Sequence, residues 1–373
     1  MNIFFCHVKD SCRRMTRCPL FFPLASCVLF TSLSPFTMEL IAPSVSSFSS
    51  TLTTSLVEES FPVYFGVIAL VHLAHGFLVS KAGTVVVCLY GSLMYGTGSM
   101  ALASHDVTGI HFHLSRSLQA IGASACSVAG FAMIKTHLQP KLHLPIINLI
   151  RSLILVITPM VGQSLVNAYG WHAPFILMTI TPILGLITLS LTRPLAEESR
   201  SMVRGRHSKE KKGFILWILA DSFGFASLLV WVCYAPFIVK ERSSNFGFMY
   251  GFTFLGSACG PFLTYVFTNS RRTCVITSSI ASFFTLLLFQ GDILLLYVGM
   301  AIVNLFRSCS STHAQSEILS HTFRGLSSGM MHSSRMMITF LMTLFLTYVS
   351  ESRVVMMTCS LLSTFFFAIL LLL

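Results

Sequence analysis

The sequence is poor in charged residues, since Asp, Glu, Lys and Arg make up only 10% of its 373 positions. A soluble domain carries about 25% charged residues, so this chain has too little polar surface to fold in water. It also contains no HExxH zinc motif and no P-loop. The missing P-loop argues against an ATP-driven pump within this chain, and we expect no enzymatic activity.

Closely spaced metal-binding or disulfide-forming cysteine pairs are absent as well. The eleven cysteines are scattered, mostly inside apolar stretches. Buried helical cysteine usually behaves as a small hydrophobic residue. We therefore expect no disulfide framework, no zinc or other metal site and no cofactor.

What the sequence does contain is a series of apolar stretches. Hydrophobic residues make up 54% of the chain, and its mean hydropathy is +0.77. About 20 apolar residues span a bilayer as a helix, and we count twelve such stretches. The expected spans are 19–43, 61–80, 83–104, 109–135, 144–166 and 171–192, then 213–238, 246–268, 273–290, 292–312, 325–349 and 353–373.

The net charge of +11 reflects membrane topology and does not indicate nucleic-acid binding. If the amino terminus is cytoplasmic, 17 Lys and Arg residues fall in cytoplasmic segments and 3 in outer segments. Positive residues are retained on the cytoplasmic side of membrane proteins. We therefore expect both termini to be cytoplasmic and the chain to contact the lipid bilayer but no nucleic acid.

The polar run at 193–212 divides the chain into two halves of six spans each. We expect bundles at 1–192 and 213–373 joined by this cytoplasmic linker. Two such bundles suit a transporter with its substrate site between them. Met15 is an alternative translation start. The first apolar stretch lacks a clear signal-peptide cleavage site, so we expect it to remain as the first helix. The two bundles of one chain enclose a complete substrate pathway, so we expect a monomer.

The segment LSRSLQAIGASACSVAGFAMIK, residues 114–135, carries the strongest local pattern. Arg116 lies one turn before Gln119, and Gly122 begins a run of small residues. An arginine inside a membrane helix is costly and usually faces a cavity or a partner. The small residues that follow allow a neighbouring helix to approach closely.

This R-x-x-Q-x-x-G pattern resembles helix 4 of the major facilitator superfamily, in its Bcr/CflA-type drug-resistance branch. Four further segments, at 39–48, 157–175, 234–254 and 325–331, are similar to family patterns in the same order. The resemblance implies an all-α membrane fold of twelve helices in two six-helix bundles. The matching positions outside helix 4 include Glu39, Pro43, Pro159, Gly162, Trp171 and Pro236.

The loop between helices 2 and 3 departs from the family, which usually has G-x-L-x-D-R-x-G-R-R there. This chain has GFLVSKAGTV at 76–85, where Gly76, Lys81 and Gly83 remain. Ser80 replaces the acid, and the two arginines are lost. We expect the ion pairs that close the cytoplasmic side to be weakened.

Two carboxylates lie clearly inside the expected spans, and both are candidates for proton coupling. We favour Glu39 as the proton carrier or cation-recognising acid, with Arg116 as its electrostatic modulator and Gln119 beside it. Asp221 either takes part in transport or pairs near the cytoplasmic side. Three other intramembrane arginines are expected to be mainly structural, with side chains that reach the interface: Arg151, Arg307 and Arg335.

The resemblance implies a drug:proton antiporter of a bacterial inner membrane that exports lipophilic or cationic small molecules. Two alternatives remain open at this point. One is a transporter of the same fold with a metabolite substrate or the opposite direction. The other is a non-transporting scaffold or sensor, which the altered loop at 76–85 favours.

Overall fold

The computed structural model describes nine stretches of the chain: 21–41, 54–104, 109–191, 213–239, 251–267, 270–287, 293–320, 324–348 and 352–372. Met15, Pro43 and the predicted linker 193–212 lie outside these residues. Within the described stretches, the regular structure is entirely α-helical. The twelve-helix, all-α prediction is therefore confirmed.

The helices of the first half are α1 to α6: Phe21–Ile41, Thr54–Ala82, Thr84–Leu102, Gly109–His137, Pro140–Tyr169 and Ala173–Ser190. Those of the second half are α7 to α12: Phe214–Val239, Leu255–Val266, Ser270–Leu287, Ile293–Leu319, Arg324–Tyr348 and Ser352–Leu372.

Several helices extend beyond the apolar stretch that predicted them. α2 begins at Thr54 although its span was expected from 61, and α10 continues to Leu319 although its span was expected to end at 312. The final turns of α10 carry Thr312 and Gln315, which are polar yet buried. Hydropathy falls where these residues begin, but the helix continues because they face other helices and not lipid.

Eight of the helices are long and apolar enough to cross a membrane, judged over the described residues. They are α1 to α6, the Phe214–Trp231 part of α7 and the Val355–Leu372 part of α12. Polar residues buried in α9, α10 and α11, such as Thr277, Asn304 and Arg335, reduce the apolar character of those helices. The chain is therefore a multi-pass integral membrane protein.

The two halves repeat one packing pattern. α1 contacts α4, α5 and α6, and α7 contacts α10, α11 and α12 in the same way. α3 contacts α4 and α6, as α9 contacts α10 and α12. Most helices of the first half thus have the same neighbours as the helix six places later. The two six-helix bundles are related as structural repeats although their sequences show no strong repetition.

The bundles meet mainly through two pairs of helices, α2 with α11 and α5 with α8, and α4 with α11 and α5 with α10 add further contacts. In the first pair, His72 and His332 stack with ring centroids 5.3 Å apart. A side chain added at Gly329 would lie 2.9 Å from the His72 carbonyl oxygen and 3.2 Å from the Gly76 Cα. Small residues therefore let the bundles touch near the end of the molecule where α6 ends and α7 begins, here named the linker end.

Glycine also sets the distance between helices inside each bundle. A Cβ at Gly122 in α4 would collide with the backbone nitrogen of Tyr95 and lie 2.5 Å from the Gly91 carbonyl oxygen in α3. In the second bundle, Gly256 of α8 lies equally close to the Ala301 carbonyl of α10. The prediction that Gly122 permits a close helix contact fits this geometry.

Substituting Gly122→Ala should lower the free energy of unfolding by about 1–3 kcal/mol, because α3 and α4 must move apart to admit the methyl group. The matched control is Gly96→Ala in α3, where nothing lies within 4 Å of the added Cβ. The control should leave stability unchanged or raise it by up to about 1 kcal/mol through helix propensity. Thermal unfolding in detergent measures the stability of both variants. Equal changes in the two would contradict a role for Gly122 in the close contact of α3 with α4.

Candidate functional site

Arg116 is almost completely buried in the first bundle, with 1% of its surface exposed. Its Nη1 donates a hydrogen bond of 2.5 Å to Gln119 Oε1 on the next turn of α4. The guanidinium lies 4.4 Å from the centroid of the Tyr64 ring in α2. Gln119 Nε2 in turn donates to Ser99 Oγ at 2.9 Å. The predicted neighbours Arg116 and Gln119 thus join three helices.

Glu39 is buried in α1 of the same bundle, with 2% exposure. The contact of Arg116 with α1 goes to the preceding residue, since Arg116 Nη2 lies 3.6 Å from Met38 Sδ. Among the ion pairs between described residues, Glu39 and Arg116 do not form one. The modulation of Glu39 by Arg116 stays a prediction.

Asp221 forms a buried ion pair in the second bundle. Arg335 Nε donates to Asp221 Oδ2 at 2.6 Å, and Arg335 Nη2 donates to the same oxygen. Ser311 Oγ donates to Asp221 Oδ1 at 2.8 Å. The pair joins α7, α10 and α11 and has almost no contact with solvent. Sequence reasoning found the carboxylate but missed that Arg335 is its partner.

Asp221 and Arg335 line a cavity of about 110 Å³ between the two bundles. The first bundle contributes the α5 residues Asn148, Arg151, Ser152 and Leu155 to its wall. The second contributes residues of α7, α8, α10, α11 and α12, among them Arg307. All three arginines that we expected to be mainly structural therefore line one cavity. The sequence did contain a signal for such a site, because the predicted spans hold four arginines and only two clear carboxylates.

Arg307 is held by hydroxyl groups. Its Nη1 donates to Ser278 Oγ at 3.0 Å and to Ser363 Oγ at 2.9 Å, and its Nη2 donates to Ser360 Oγ. These serines belong to α9 and α12. The guanidinium is thus fixed in position by neutral acceptors.

Arg151 belongs to a polar network that crosses between the bundles. Its Nη1 donates to Asn148 Oδ1 at 3.1 Å, and its guanidinium lies 5.4 Å from the Phe131 ring centroid. Asn148 Nδ2 donates to Thr312 Oγ1 at 3.0 Å and to Gln315 Oε1 at 3.1 Å in α10. Moving α5 away from α10 must break these two bonds.

The linker end is closed by further polar contacts between the bundles. Lys141 Nζ lies 3.4 Å from Glu317 Oε1, and Tyr265 Oη donates to the Leu142 carbonyl at 2.8 Å. Lys135 Nζ donates to Ser327 Oγ at 3.4 Å. At the altered loop, Gly83 has a φ of 89° that favours glycine, and Lys81 is exposed. The polar contacts of Lys135, Lys141 and Tyr265 therefore join the two bundles at the end where the family's usual loop charges are missing.

Three further predicted motif residues, Pro159, Gly162 and Trp171, are buried. A Cβ at Gly162 in α5 would lie 2.5 Å from the Leu40 carbonyl in α1. Trp171 is buried against Phe175, with ring centroids 6.3 Å apart. Pro159 and Pro236 lie within α5 and α7.

Two observations concern metal-binding and hydrolase motifs among the described residues. No group of three or more His, Cys, Asp or Glu is placed there to hold a metal ion. The run Gly325–Gly329, GLSSG, fits the G-x-S-x-G pattern of serine hydrolases and was not recognised in the sequence. It lies within the first turns of α11, whereas a nucleophile elbow requires a turn from strand to helix.

Comparison with known sequences gives a family match and several relatives. The family model described as Major Facilitator Superfamily matches residues 21–329. "Multidrug resistance protein MdtL" of Klebsiella pneumoniae (strain 342) is 26% identical over 238 residues, which cover 59% of this chain and 60% of that protein. The protein of the same name from Shewanella oneidensis is 25% identical over 224 residues, covering 55% and 56%. The chain thus spans about three fifths of the length of these relatives.

Among solved structures, the proton:xylose symporter XylE, bound to 6-bromo-6-deoxy-D-glucose, is similar with a TM-score of 0.73. The match covers 94% of both chains at 11% sequence identity. At this identity the similarity concerns the fold alone.

Proposed function

This chain belongs to the Major Facilitator Superfamily, and we propose that it is a proton-coupled transporter that exports small amphipathic molecules. The observation that carries the proposal is the cavity between the bundles, which is lined by charged residues from both halves. The motifs at Arg116, Gln119 and Trp171, together with the names of the MdtL relatives, support placement in the Bcr/CflA-type drug-resistance branch. The distribution of Lys and Arg supports cytoplasmic termini, and the bacterial sources of the MdtL relatives support a bacterial inner membrane location.

Transport by this fold requires the two bundles to move relative to one another. We take 1–192 and 213–373 as the moving units and 193–212 as their cytoplasmic linker, in a monomer. The cavity would open to the cytoplasm when the contacts at the linker end separate. It would open to the outer side when those contacts form and the opposite ends move apart.

Proton coupling in this proposal rests on two buried carboxylates. Glu39 is the favoured proton carrier because it is fully enclosed in an apolar bundle. Asp221 is the second candidate, because Arg335 stabilises its charged form and competes with a proton for the same oxygen. If bundle movement separates Arg335 from Asp221, the carboxylate can accept a proton.

The proposal can be tested in bacterial cells that lack their major efflux pumps. Cells that produce this protein should accumulate less of at least one lipophilic dye or antibiotic than cells with the empty vector. A protonophore should remove that difference, because export depends on the proton gradient. Unchanged accumulation across compounds of all charge classes would contradict an export function.

A charge reversal tests the proposed closure at the linker end. Lys141→Glu places a second acid beside Glu317 and should favour separation of the bundles there. Both side chains are partly solvated, so the effect on the equilibrium should be about 0.2–1 kcal/mol. The rate at which a maleimide labels Ser327→Cys should rise up to about fivefold.

The matched control is the double reversal Lys141→Glu with Glu317→Lys, which restores an ion pair of opposite polarity. It should return the labelling rate to that of the parent. An equal rate in all three proteins would show that this pair does not influence closure.

A further inference from the structure

The cavity between the bundles contains more positive than negative charge. Arg151, Arg307 and Arg335 line it, whereas Asp221 is the sole carboxylate among its described lining residues. We propose that this cavity binds its substrate through an anionic group, such as a carboxylate, sulfonate or phosphate. The inference rests on the proposed transport function and narrows its substrate class to amphipathic anions or zwitterions, where the sequence alone had suggested lipophilic or cationic molecules.

The acid is already engaged by one of the arginines. The Arg335 guanidinium donates two hydrogen bonds to Asp221 Oδ2 and a third to Ser311 Oγ at 3.2 Å, so this arginine and its carboxylate together are close to neutral. Asp221 also attracts Arg307 at longer range. One carboxylate is therefore shared between two guanidinium groups, and two positive charges remain in excess.

The two excess charges are held by neutral groups only, within the described part of the chain. Arg307 donates to three serine hydroxyls, and Arg151 donates to the Asn148 side-chain oxygen. Hydroxyl and amide oxygens solvate a cation but do not neutralise it. The Nε atoms of both arginines are buried without a hydrogen-bond acceptor among the described atoms. Each guanidinium therefore retains a donor for a further partner.

Electrostatic repulsion adds to this unbalanced charge. Arg151 on the first bundle lies close enough to Arg335 on the second to be repelled by it. An anion between them would replace repulsion with two attractions. Guanidinium groups suit this role because their paired donors match carboxylate and phosphate oxygens. Bound between α5 and α11, the anion would also hold the two bundles together.

The size and lining of the cavity indicate which part of a substrate it takes. About 110 Å³ admits a small charged group but not a whole drug-sized molecule. The same wall carries the apolar side chains of Leu155, Phe225, Leu228 and Phe254. An aromatic or aliphatic body next to the anionic group could contact these residues.

Three probes of similar shape and different charge test the inference: 2-naphthoate, the neutral 2-naphthamide and the cation 2-naphthylmethylammonium. Equilibrium binding is measured on the full-length protein in phosphatidylcholine nanodiscs. We expect 2-naphthoate to bind at least about tenfold more tightly than either other probe. Arg151→Gln and Arg307→Gln should each weaken its binding about tenfold.

The control variant is Arg272→Gln, which removes an exposed positive charge at the start of α9 and should leave binding unchanged. Equal affinity for the three probes, or an equal loss in the control variant, would overturn the inference. Binding should also persist when phosphatidylglycerol is added to the nanodiscs. If that lipid displaces 2-naphthoate through Arg151 and Arg307, a lipid headgroup is the natural occupant and the substrate assignment is wrong.

This test separates the substrate class from the proposed transport function. Anion binding by a protein that moves no compound would support the site and contradict the transporter. Proton-driven export of cations by a protein that does not bind 2-naphthoate would support the transporter and contradict the site.

Discussion

Replacing Asp221 with Asn should lower the free energy of unfolding by about 3–5 kcal/mol, the usual loss when one member of a buried ion pair is removed. Asparagine is nearly the same size, so the effect comes from charge. The Arg335 guanidinium is buried and would be left without its carboxylate. Two further arginines line the same cavity and would then repel it without compensation. Thermal unfolding in detergent measures the loss.

Two variants separate the charge effect from a general packing defect. Glu317→Gln removes an acid from a partly exposed pair with Lys141 and should cost less than about 1 kcal/mol. The double variant Asp221→Leu with Arg335→Met removes both charges and should regain most of the stability. This double variant should nevertheless lose transport, because both side chains line the cavity. If Asp221→Asn were as stable as the parent, the buried pair would not carry the role assigned to it.

Replacing Glu39 with Gln should reduce proton-driven transport to the rate of liposomes without protein. Glutamine has nearly the shape of a protonated glutamate but cannot release a proton. Substrate exchange without a proton gradient should survive, because that process needs bundle movement and no net proton transfer. Uptake by the variant should consequently be independent of the pH difference across the membrane.

The matched control is Glu59→Gln, which alters an acid in α2 whose side chain is 68% exposed. This control should retain proton-driven transport within about twofold of the parent, as expected for an exposed residue away from the cavity. Loss of substrate exchange in Glu39→Gln would indicate a structural role for Glu39. Full proton-driven transport in that variant would assign coupling to another acid, with Asp221 the next candidate.

The fold was largely predictable because apolar length is a strong signal. Each of the twelve expected spans corresponds to a helix, at least in its described part. Helix ends were less predictable, as α10 illustrates. Thr312 and Gln315 are polar, which marks the end of an apolar stretch, but they are buried where α10 meets α5. Hydropathy does not reveal whether a polar residue faces water or another helix.

The sequence allowed us to predict which residues belong to the candidate site, but not which of them contact one another across helices. Arg116 and Gln119 lie three positions apart on one helix, so their contact follows from helix geometry. Asp221 and Arg335 are separated by more than a hundred residues, and nothing in one sequence couples them. Arg151 and Arg307 likewise meet one cavity only because two bundles pack together. The sequence indicated more arginines than carboxylates within the predicted spans. The structure showed that three of these arginines line one cavity.

Proton flux in proteoliposomes tests the central proposal most directly. Purified protein is reconstituted, and internal pH is recorded while compounds of all three charge classes are added one at a time. We predict that at least one compound triggers proton movement in the opposite direction, and that Glu39→Gln loses this response while Glu59→Gln keeps it. Absence of proton movement with every compound, in vesicles shown to contain folded protein, would contradict proton-coupled export.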